Sequence, residues 1–268
     1  MGDYKDGMFV GLGITIGEED ELVIPHTKFK TAVAGGRKKV NSAWKRTPHV
    51  SFPTSIKYSG SFDFLVTADM LPVLELINSE EGVALTEFSV NDGVWKYTGC
   101  KCAGIKLPVK LDEECVGSFD FVAKDRGAGS AVVLGELEVV FVGSDIALTG
   151  FADKDSESLD ISVANPLKEI YGMKGSSKKP RHLSEGYQNI DVDIKYNEDH
   201  DVDLALVTAP IATATVVLNG TDGLSSLTIT LTNVIPTDDT KDSVPEDVER
   251  FALKYGADVI DFAFDVPS

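Results

Sequence analysis

Residues 56–67 read IKYSGSFDFLVT, and apolar and polar side chains alternate along most of this stretch. The apolar positions share one face and the polar positions share the other: Ile56, Tyr58, Phe62 and Phe64 against Lys57, Ser59, Ser61 and Asp63. A period of two is typical of a β-strand with one buried face. This segment therefore predicts a sheet protein whose strands separate a hydrophobic core from a polar surface.

The residues that follow continue the same pattern after one short helix. Thr67 or Asp69 is a candidate helix cap, and Pro72 suits only the first turn. Asp92-Gly93 supplies the positive φ angles of a tight hairpin turn. Further strands are predicted at 100–111, 117–125, 132–143 and 145–150.

The second part of the chain repeats this style. Strands are predicted at 159–166, 187–196 and 258–266, and a hairpin is predicted across 213–234. Residues 244–256, VPEDVERFALKYG, predict a capped helix that ends at Gly256. The fold class is mainly β with short helices.

An internal duplication is suggested by a repeated pentapeptide. GSFDF occurs at 60–64 and again at 117–121, and residues 261–265 echo it as DFAFD. A Ser/Asp-rich joint at 152–158 divides the chain into two predicted halves, 1–150 with an N-terminal arm and 151–268. Chance similarity between short β segments is the alternative explanation.

Composition excludes several classes of protein. The 268 residues carry Lys+Arg 25 against Asp+Glu 43, a net charge of −18, which argues against a dedicated nucleic-acid binder. No apolar run is long enough to cross a membrane. The three cysteines cannot form a disulfide framework, so synthesis in a reducing cytoplasm is expected.

Positive charge is nevertheless concentrated in two segments, each predicted to be a loop before an alternating strand. These segments are 27–47 and 172–182. The favoured interpretation is self-assembly, in which the basic segments contact the acidic surface of a neighbouring copy. Contact with nucleic acid and ordinary solvated loops are the alternatives. The candidate contact residues are Arg37, Lys38, Lys39, Lys45, Arg46, Lys178, Lys179 and Arg181.

Catalytic and metal-binding patterns are weak. Cys100 and Cys102 lack the spacing and the partners of a zinc site and are interpreted as buried strand residues. Residues 199–203 alternate oxygen ligands but lack the glycine and glutamate of a calcium loop. No nucleophile, phosphate loop or acid–base pair stands out, so neither an enzyme nor a cofactor is expected.

The ordered blocks of the chain resemble the major tail tube proteins of long-tailed, siphovirus-like viruses of bacteria and archaea. The resemblance is carried by four segments: YSGSFDFLVTADMLPVLELI (58–77), EFSVNDGVWKYTGCKCAGIKLPV (87–109), GSFDFVA (117–123) and ISVANPLKEIYGMKGSSKKPRHLSEGYQNIDVDIKY (161–196). It extends from about residue 27 to residue 266 and rests on patterns of β structure rather than on chemical groups.

The resemblance implies a tail-tube β-sandwich or half-barrel, duplicated within the chain, that assembles into rings stacked as a hollow tube. Because two halves per chain form a pseudo-sixfold ring, a homotrimer is favoured over a hexamer. Other tail proteins, such as the tape measure and the terminator, are implied partners. The resemblance further implies that DNA passes through without specific binding, that no membrane is involved, and that the protein belongs to the virion tail after synthesis in the host cytoplasm. A β-rich tail adhesin or carbohydrate-binding module is the alternative.

A channel for DNA implies an acidic wall, because a basic wall would bind phosphate through counterion release. On the alternating strands the apolar side chains take the core, which leaves a set of aspartates on the opposite face. The candidates that face the channel are Asp63, Asp120, Asp191, Asp193 and Asp261. An outer face exposed to solvent is the alternative position for these side chains.

Overall fold

The structure is a computed structural model that describes residues 10–40, 50–78, 84–136, 139–151, 156–171, 179–196, 210–242 and 250–265. Strands make up 71% of it and helices 4%, which confirms a mainly β fold with short helices. The strands are β1 Val10–Ile16, β2 Leu22–Val40, β3 Val50–Leu65, β4 Phe88–Asn91, β5 Trp95–Lys110, β6 Val116–Ala123, β7 Asp125–Ala128, β8 Phe141–Thr149, β9 Ser156–Ala164, β10 Leu167–Ile170, β11 His182–Glu185, β12 Asn189–Tyr196, β13 Ile211–Gly220, β14 Ser226–Asp242, β15 Arg250–Ala257 and β16 Val259–Asp265. A 3-10 turn at Ala68–Met70 leads into α1, Leu71–Glu75.

Six strands in the first part of the chain close into a barrel. Their order is β1-β2-β3-β6-β5-β4, and antiparallel pairing of β4 with β1 completes the ring. Aromatic side chains fill the interior, among them Phe62 and Phe119, whose rings stack with centroids 5.0 Å apart. Closure removes the exposed edges that an open sheet would leave there.

A second, longer assembly of strands extends from the barrel. We call it the long sheet: β2-β3-β6-β5-β9-β12-β15-β14, with every neighbouring pair antiparallel. A further sheet, β8-β13-β14-β16, shares β14 with it. Buried side chains from both sheets and from α1 form one hydrophobic cluster, and α1 packs against β16.

The two copies of GSFDF are partners in one strand pair, and both lie in the first part of the chain. In the β3–β6 register, Gly60 lies opposite Phe121, Phe62 opposite Phe119, and Phe64 opposite Gly117. The motif is therefore self-complementary: each glycine receives the phenylalanine of the other copy. This local pairing accounts for the repeat, so the pentapeptide does not mark corresponding positions in two halves.

The helix predicted at 244–256 is wrong for the described residues 250–256, which belong to β15. Leu253 and Tyr255 are buried while Lys254 is exposed, so this segment also fits a period of two. Pairing with β12 on one side and β14 on the other decides in favour of the strand.

Two other boundaries differ from prediction. The basic segment 27–47 is not a loop throughout, because β2 continues to Val40 and pairs with β3 along its length. In the predicted strand 132–143, residues 132–136 are not a strand, and β8 begins only at Phe141. The hairpin β10–β11 was not predicted, since its strands are short and enclose a long intervening segment.

Most strand pairings follow one order twice along the chain. β1 to β7 pair as 1–4, 4–5, 5–7, 5–6, 6–3 and 3–2, and β1 also pairs with β2 to close the barrel. Strands 8, 9, 12, 13, 14, 15 and 16 pair as 8–13, 13–14, 14–16, 14–15, 15–12 and 12–9. The β1–β2 pairing has no counterpart in this second run of described strands, because β8 and β9 do not pair. The β10–β11 hairpin lies between β9 and β12 and falls outside this correspondence. β8 pairs with β13 and so belongs with the later strands, although it lies before the predicted division at residue 150.

Candidate functional site

One face of the long sheet is polar across its width. Strand alternation sends the apolar residues of each strand to the core and their neighbours to the other side. The register then aligns the outward side chains: Asp63 lies opposite Ser118, Asp160 opposite Asp193, and Asp193 opposite Lys254. We call this surface the polar face and define it by Asp63, Lys106, Ser118, Asp120, Asp160, Ser162, Asp191, Asp193 and Lys254.

The centre of the polar face is concave. A groove of about 820 Å³ runs across β3, β6, β5, β9, β12 and β15 and reaches β14 at Thr237. Carboxylates and two ammonium groups line it: Asp63, Asp160, Asp191, Asp193, Lys106 and Lys254. Carboxylates outnumber cations, so the groove presents an acidic surface with the lysines spaced between them.

Electrostatic interactions on the polar face are mostly between exposed groups. The Lys28 ammonium lies 3.5 Å from the Asp63 carboxylate, in a pair whose side chains are 69% and 32% exposed, so it stabilises the fold little. Partial burial raises the pKa of Asp120; the Asp63 carboxylate adds to this shift and Lys106 opposes it. Asp63 is thus close enough to Asp120, on the neighbouring strand, to influence its ionisation.

The structure brings together four of the five aspartates that were predicted to face a channel. Asp63, Asp120, Asp191 and Asp193 lie on the polar face. Asp261 lies apart, exposed on β16, where it pairs with Thr230 in the other sheet. Sequence reasoning missed Asp160, although it alternates with buried Leu159 and Ile161, and it missed the two lysines of the groove.

The predicted contact residues fall in three groups. Arg37, Lys38 and Lys39 lie on the distal part of β2. Lys179 forms an ion pair with Asp125, and the backbone N–H of Arg181 donates to the carbonyl of Ile170 at 2.9 Å. Three further candidates lie outside the described residues: Lys45, Arg46 and Lys178.

Both outer edges of the long sheet have unused backbone groups. Among the described residues, 28–40 of β2 pair only with β3, and 235–242 of β14 pair only with β15. Such edges are templates for pairing with another chain. By sequence the two edges differ in charge: the β2 edge carries Lys28, Lys30, Arg37, Lys38 and Lys39, and the β14 edge carries Asp238, Asp239, Lys241 and Asp242.

The cysteines and the exposed tryptophan have simpler environments. Cys100, Cys102 and Cys115 are free and buried, and burial raises the pKa of the Cys115 thiol to about 12. Within the described ranges, no cluster of three or more His, Cys, Asp and Glu side chains could hold a metal ion. The guanidinium of Arg126 lies 4.2 Å from the ring centroid of Trp95, so one face of that indole is covered.

The sequence matches no protein-family model and no curated protein. Among the described residues, no helix has both the length and the apolar character needed to span a membrane.

Proposed function

We propose that this chain is a structural protein of a viral tail. Copies join through the edges of the long sheet into rings, and the rings stack into a hollow tube with the polar face towards the channel. The observation that carries the proposal is the antiparallel long sheet, which combines one acidic concave face with two edges that are free in the described part of the chain.

The joint between copies has a counterpart inside the chain. β5 pairs with β9 from Gly104–Ala164 to Lys110–Ser158 and so joins the first run of strands to the second. In the repeated strand order, β5 corresponds to β14, and β2 corresponds to β9. Pairing β14 of one copy with β2 of the next would therefore repeat the β5–β9 joint.

Strand direction allows this joint. The long sheet alternates direction at every step from β2 to β14, so its first and last strands are antiparallel. A rotated neighbour thus offers its β2 to β14 in the antiparallel sense. A head-to-tail contact of this kind closes into a ring when the rotation between copies divides a full turn. In this arrangement the basic β2 edge attracts the acidic β14 edge. A β2–β2 joint or a β14–β14 joint would instead bring like charges together.

The repeated strand order also supports a duplicated unit and a ring of three chains. Each run of strands contributes four members to the long sheet, β2-β3-β6-β5 and β9-β12-β15-β14. Three chains would then give six similar units around one channel. Since β8 pairs with β13, this proposal would put the boundary between units within 129–140, somewhat before the predicted division at 150.

An acidic channel wall suits the passage of DNA. Duplex DNA carries about one charge per 1.7 Å of its axis and binds basic surfaces through counterion release. Carboxylates along the groove repel phosphate, which lets the duplex slide instead of adhering. The lysines between them lower the net charge without making the wall basic.

Electron microscopy of the purified full chain, with light scattering to count chains per particle, tests the proposal. We expect hollow tubes built from rings of three chains, with density for the polar face at the inner wall. A particle that stays monomeric at all concentrations and salts would contradict self-assembly. Six chains per ring would contradict the duplicated unit, and a wall formed by β16 would contradict the assignment of the polar face.

A further inference from the structure

Two hairpin tips of the chain share one local structure. At the β4–β5 turn, Asp92 Oδ1 accepts the N–H groups of Val94 and Trp95. At the β13–β14 turn, Asp222 Oδ1 accepts the N–H groups of Leu224 and Ser225, at 3.1 and 2.9 Å. The residue after each aspartate is a glycine with positive φ, +87° at Gly93 and +68° at Gly223.

Each tip then exposes an aliphatic side chain. Val94 is 66% exposed and Leu224 is 74% exposed, and each directly follows the glycine. One exposed aliphatic residue on a surface needs no explanation. Here the same exposed position recurs at two turns that correspond in the repeated strand order, each held by the same carboxylate geometry.

Both tips precede strands that cross the long sheet in the same direction. Four antiparallel pairings, β5–β9, β9–β12, β12–β15 and β15–β14, separate β5 from β14. An even number of reversals makes these two strands parallel to each other within the long sheet. Each strand begins directly after its tip, so both tips precede the long sheet on the side from which β5 and β14 enter it.

We propose that these two tips form the surface through which one ring contacts the next, with a second copy of this chain as the partner. The inference rests on the proposed ring assembly. Three chains would place six aliphatic tips at one end of a ring. Many weak apolar contacts made together bind far more tightly than one.

The opposite end of β5 supplies an apolar receiving surface. Leu111, directly after β5, is 54% exposed, and its backbone N–H donates to Glu157 at the joint between β5 and β9. A strand with exposed aliphatic residues at both ends brings Val94 of one ring towards Leu111 of the next in a head-to-tail stack. Such a contact uses different surfaces on the two partners, so it continues without limit and gives a tube.

The test compares the full-length wild type with the double variant Val94→Asp/Leu224→Asp by negative-stain electron microscopy and sedimentation velocity. We expect the variant to form single rings, with mean tube length reduced at least tenfold, because burying six carboxylates between rings is unfavourable. Leu111→Asp should give the same result from the other side of the contact. Val259→Asp is the matched control, since Val259 is 45% exposed but lies on β16 beside Thr232, away from the tips.

Circular dichroism of each variant establishes whether the fold is retained. The milder double variant Val94→Ser/Leu224→Ser should shorten the tubes less than the double aspartate variant does. Tubes of wild-type length from the double aspartate variant would overturn the role of the tips and leave ring formation standing. A wild type that forms rings but never stacks them would also overturn it. A wild type that forms no rings would overturn the proposed function itself.

Discussion

At the scale of single residues, the most unusual side chain is Lys101. It is 2% exposed, yet it carries an ammonium group, which forms an ion pair with Glu185 Oε1. The second oxygen, Glu185 Oε2, accepts the backbone N–H of Leu85 at 3.0 Å. Lys101 lies on β5 between the residues that pair with β4, which end at Cys100, and those that pair with β9, which begin at Gly104. The ion pair therefore links the β10–β11 hairpin to the barrel between these two pairings.

Removing the charge of Glu185 should therefore destabilise the protein. We expect Glu185→Gln to lower the free energy of unfolding by about 2–4 kcal/mol, because it leaves a buried ammonium without its counterion. Glu113→Gln is the matched control: its pair with Lys110 joins side chains that are 60% and 62% exposed, and its loss should cost about 0.5 kcal/mol or less. Urea unfolding of both variants at pH 7 measures the difference.

The same pair predicts a dependence on pH. Burial favours a higher pKa for Glu185, but hydrogen bonds from Lys101 and from the Leu85 amide outweigh it and lower the pKa below its ordinary 4.5. The stabilisation is therefore present above about pH 4.5 and is lost as the pH falls through the lowered pKa. The free-energy gap between wild type and Glu185→Gln should narrow across that window; a gap that stays constant down to pH 3 would contradict this.

The buried thiols give a second prediction at this scale. Burial raises the pKa of all three cysteines, which disfavours the reactive thiolate. In the native protein a thiol reagent such as DTNB should modify none of them within minutes at pH 8. All three should react once the chain is unfolded in guanidinium chloride. Rapid modification of the native protein would show that the strand carrying Cys100 and Cys102 opens readily.

At the scale of elements, the β3–β6 pair shows why the GSFDF segment contains glycine. A Cβ added at Gly117 would lie 2.5 Å from Cζ of Phe64, and one at Gly60 would meet the ring of Phe121. The rings cannot easily move away, since Phe64 and Phe121 are buried and each contacts other aromatic rings. Glycine therefore provides the space in which the facing phenylalanine crosses the neighbouring strand.

Gly117→Ala should consequently destabilise the protein by about 1–3 kcal/mol, the usual cost of adding a methyl group to a packed core. Gly35→Ala in β2 is the control, because its added Cβ meets nothing within 4 Å and alanine suits a strand slightly better than glycine. Thermal unfolding should separate the two by several degrees. Equal melting temperatures would mean that the facing ring adapts without strain.

At the scale of the whole molecule, the proposed assembly depends on the two edges of the long sheet. A joint that repeats the β5–β9 register sets residues 28–34 of β2 beside the C-terminal end of β14, with Lys30 opposite Asp242. Lys30→Glu should slow assembly and weaken it at low salt, since like charges would then meet. Adding Asp242→Lys to the same chain should restore the rate. Light scattering at several salt concentrations follows both, and the absence of rescue would contradict this pairing of edges.

The acidic face provides the second prediction at this scale. Asp191→Lys/Asp193→Lys converts the groove from acidic to basic, so assembled tubes should retain duplex DNA fragments that wild-type tubes release. Asp261→Lys, on the other sheet, should change the total charge in the same sense without retaining DNA. Co-sedimentation of labelled DNA with tubes at low salt measures retention. Equal retention by both variants would place the polar face outside the channel.

The sequence by itself determined the class of the fold and the division of each strand into a buried and an exposed face. Period-two alternation depends on local geometry alone, so β3, β12 and β16 are all readable from their residues. The same logic placed Asp63, Asp120, Asp191 and Asp193 opposite the core. It could not tell that Asp261, with an identical local pattern, belongs to another sheet.

Tertiary structure decided which strands became neighbours. Residues 250–257 suit a helix by their spacing and a strand by their alternation, and only the flanking strands β12 and β14 select the strand. The groove, the free edges and the buried Lys101–Glu185 pair likewise depend on contacts between residues far apart in the chain. Their physical cause is pairing between distant backbones, and a local pattern of side chains carries no information about its partner.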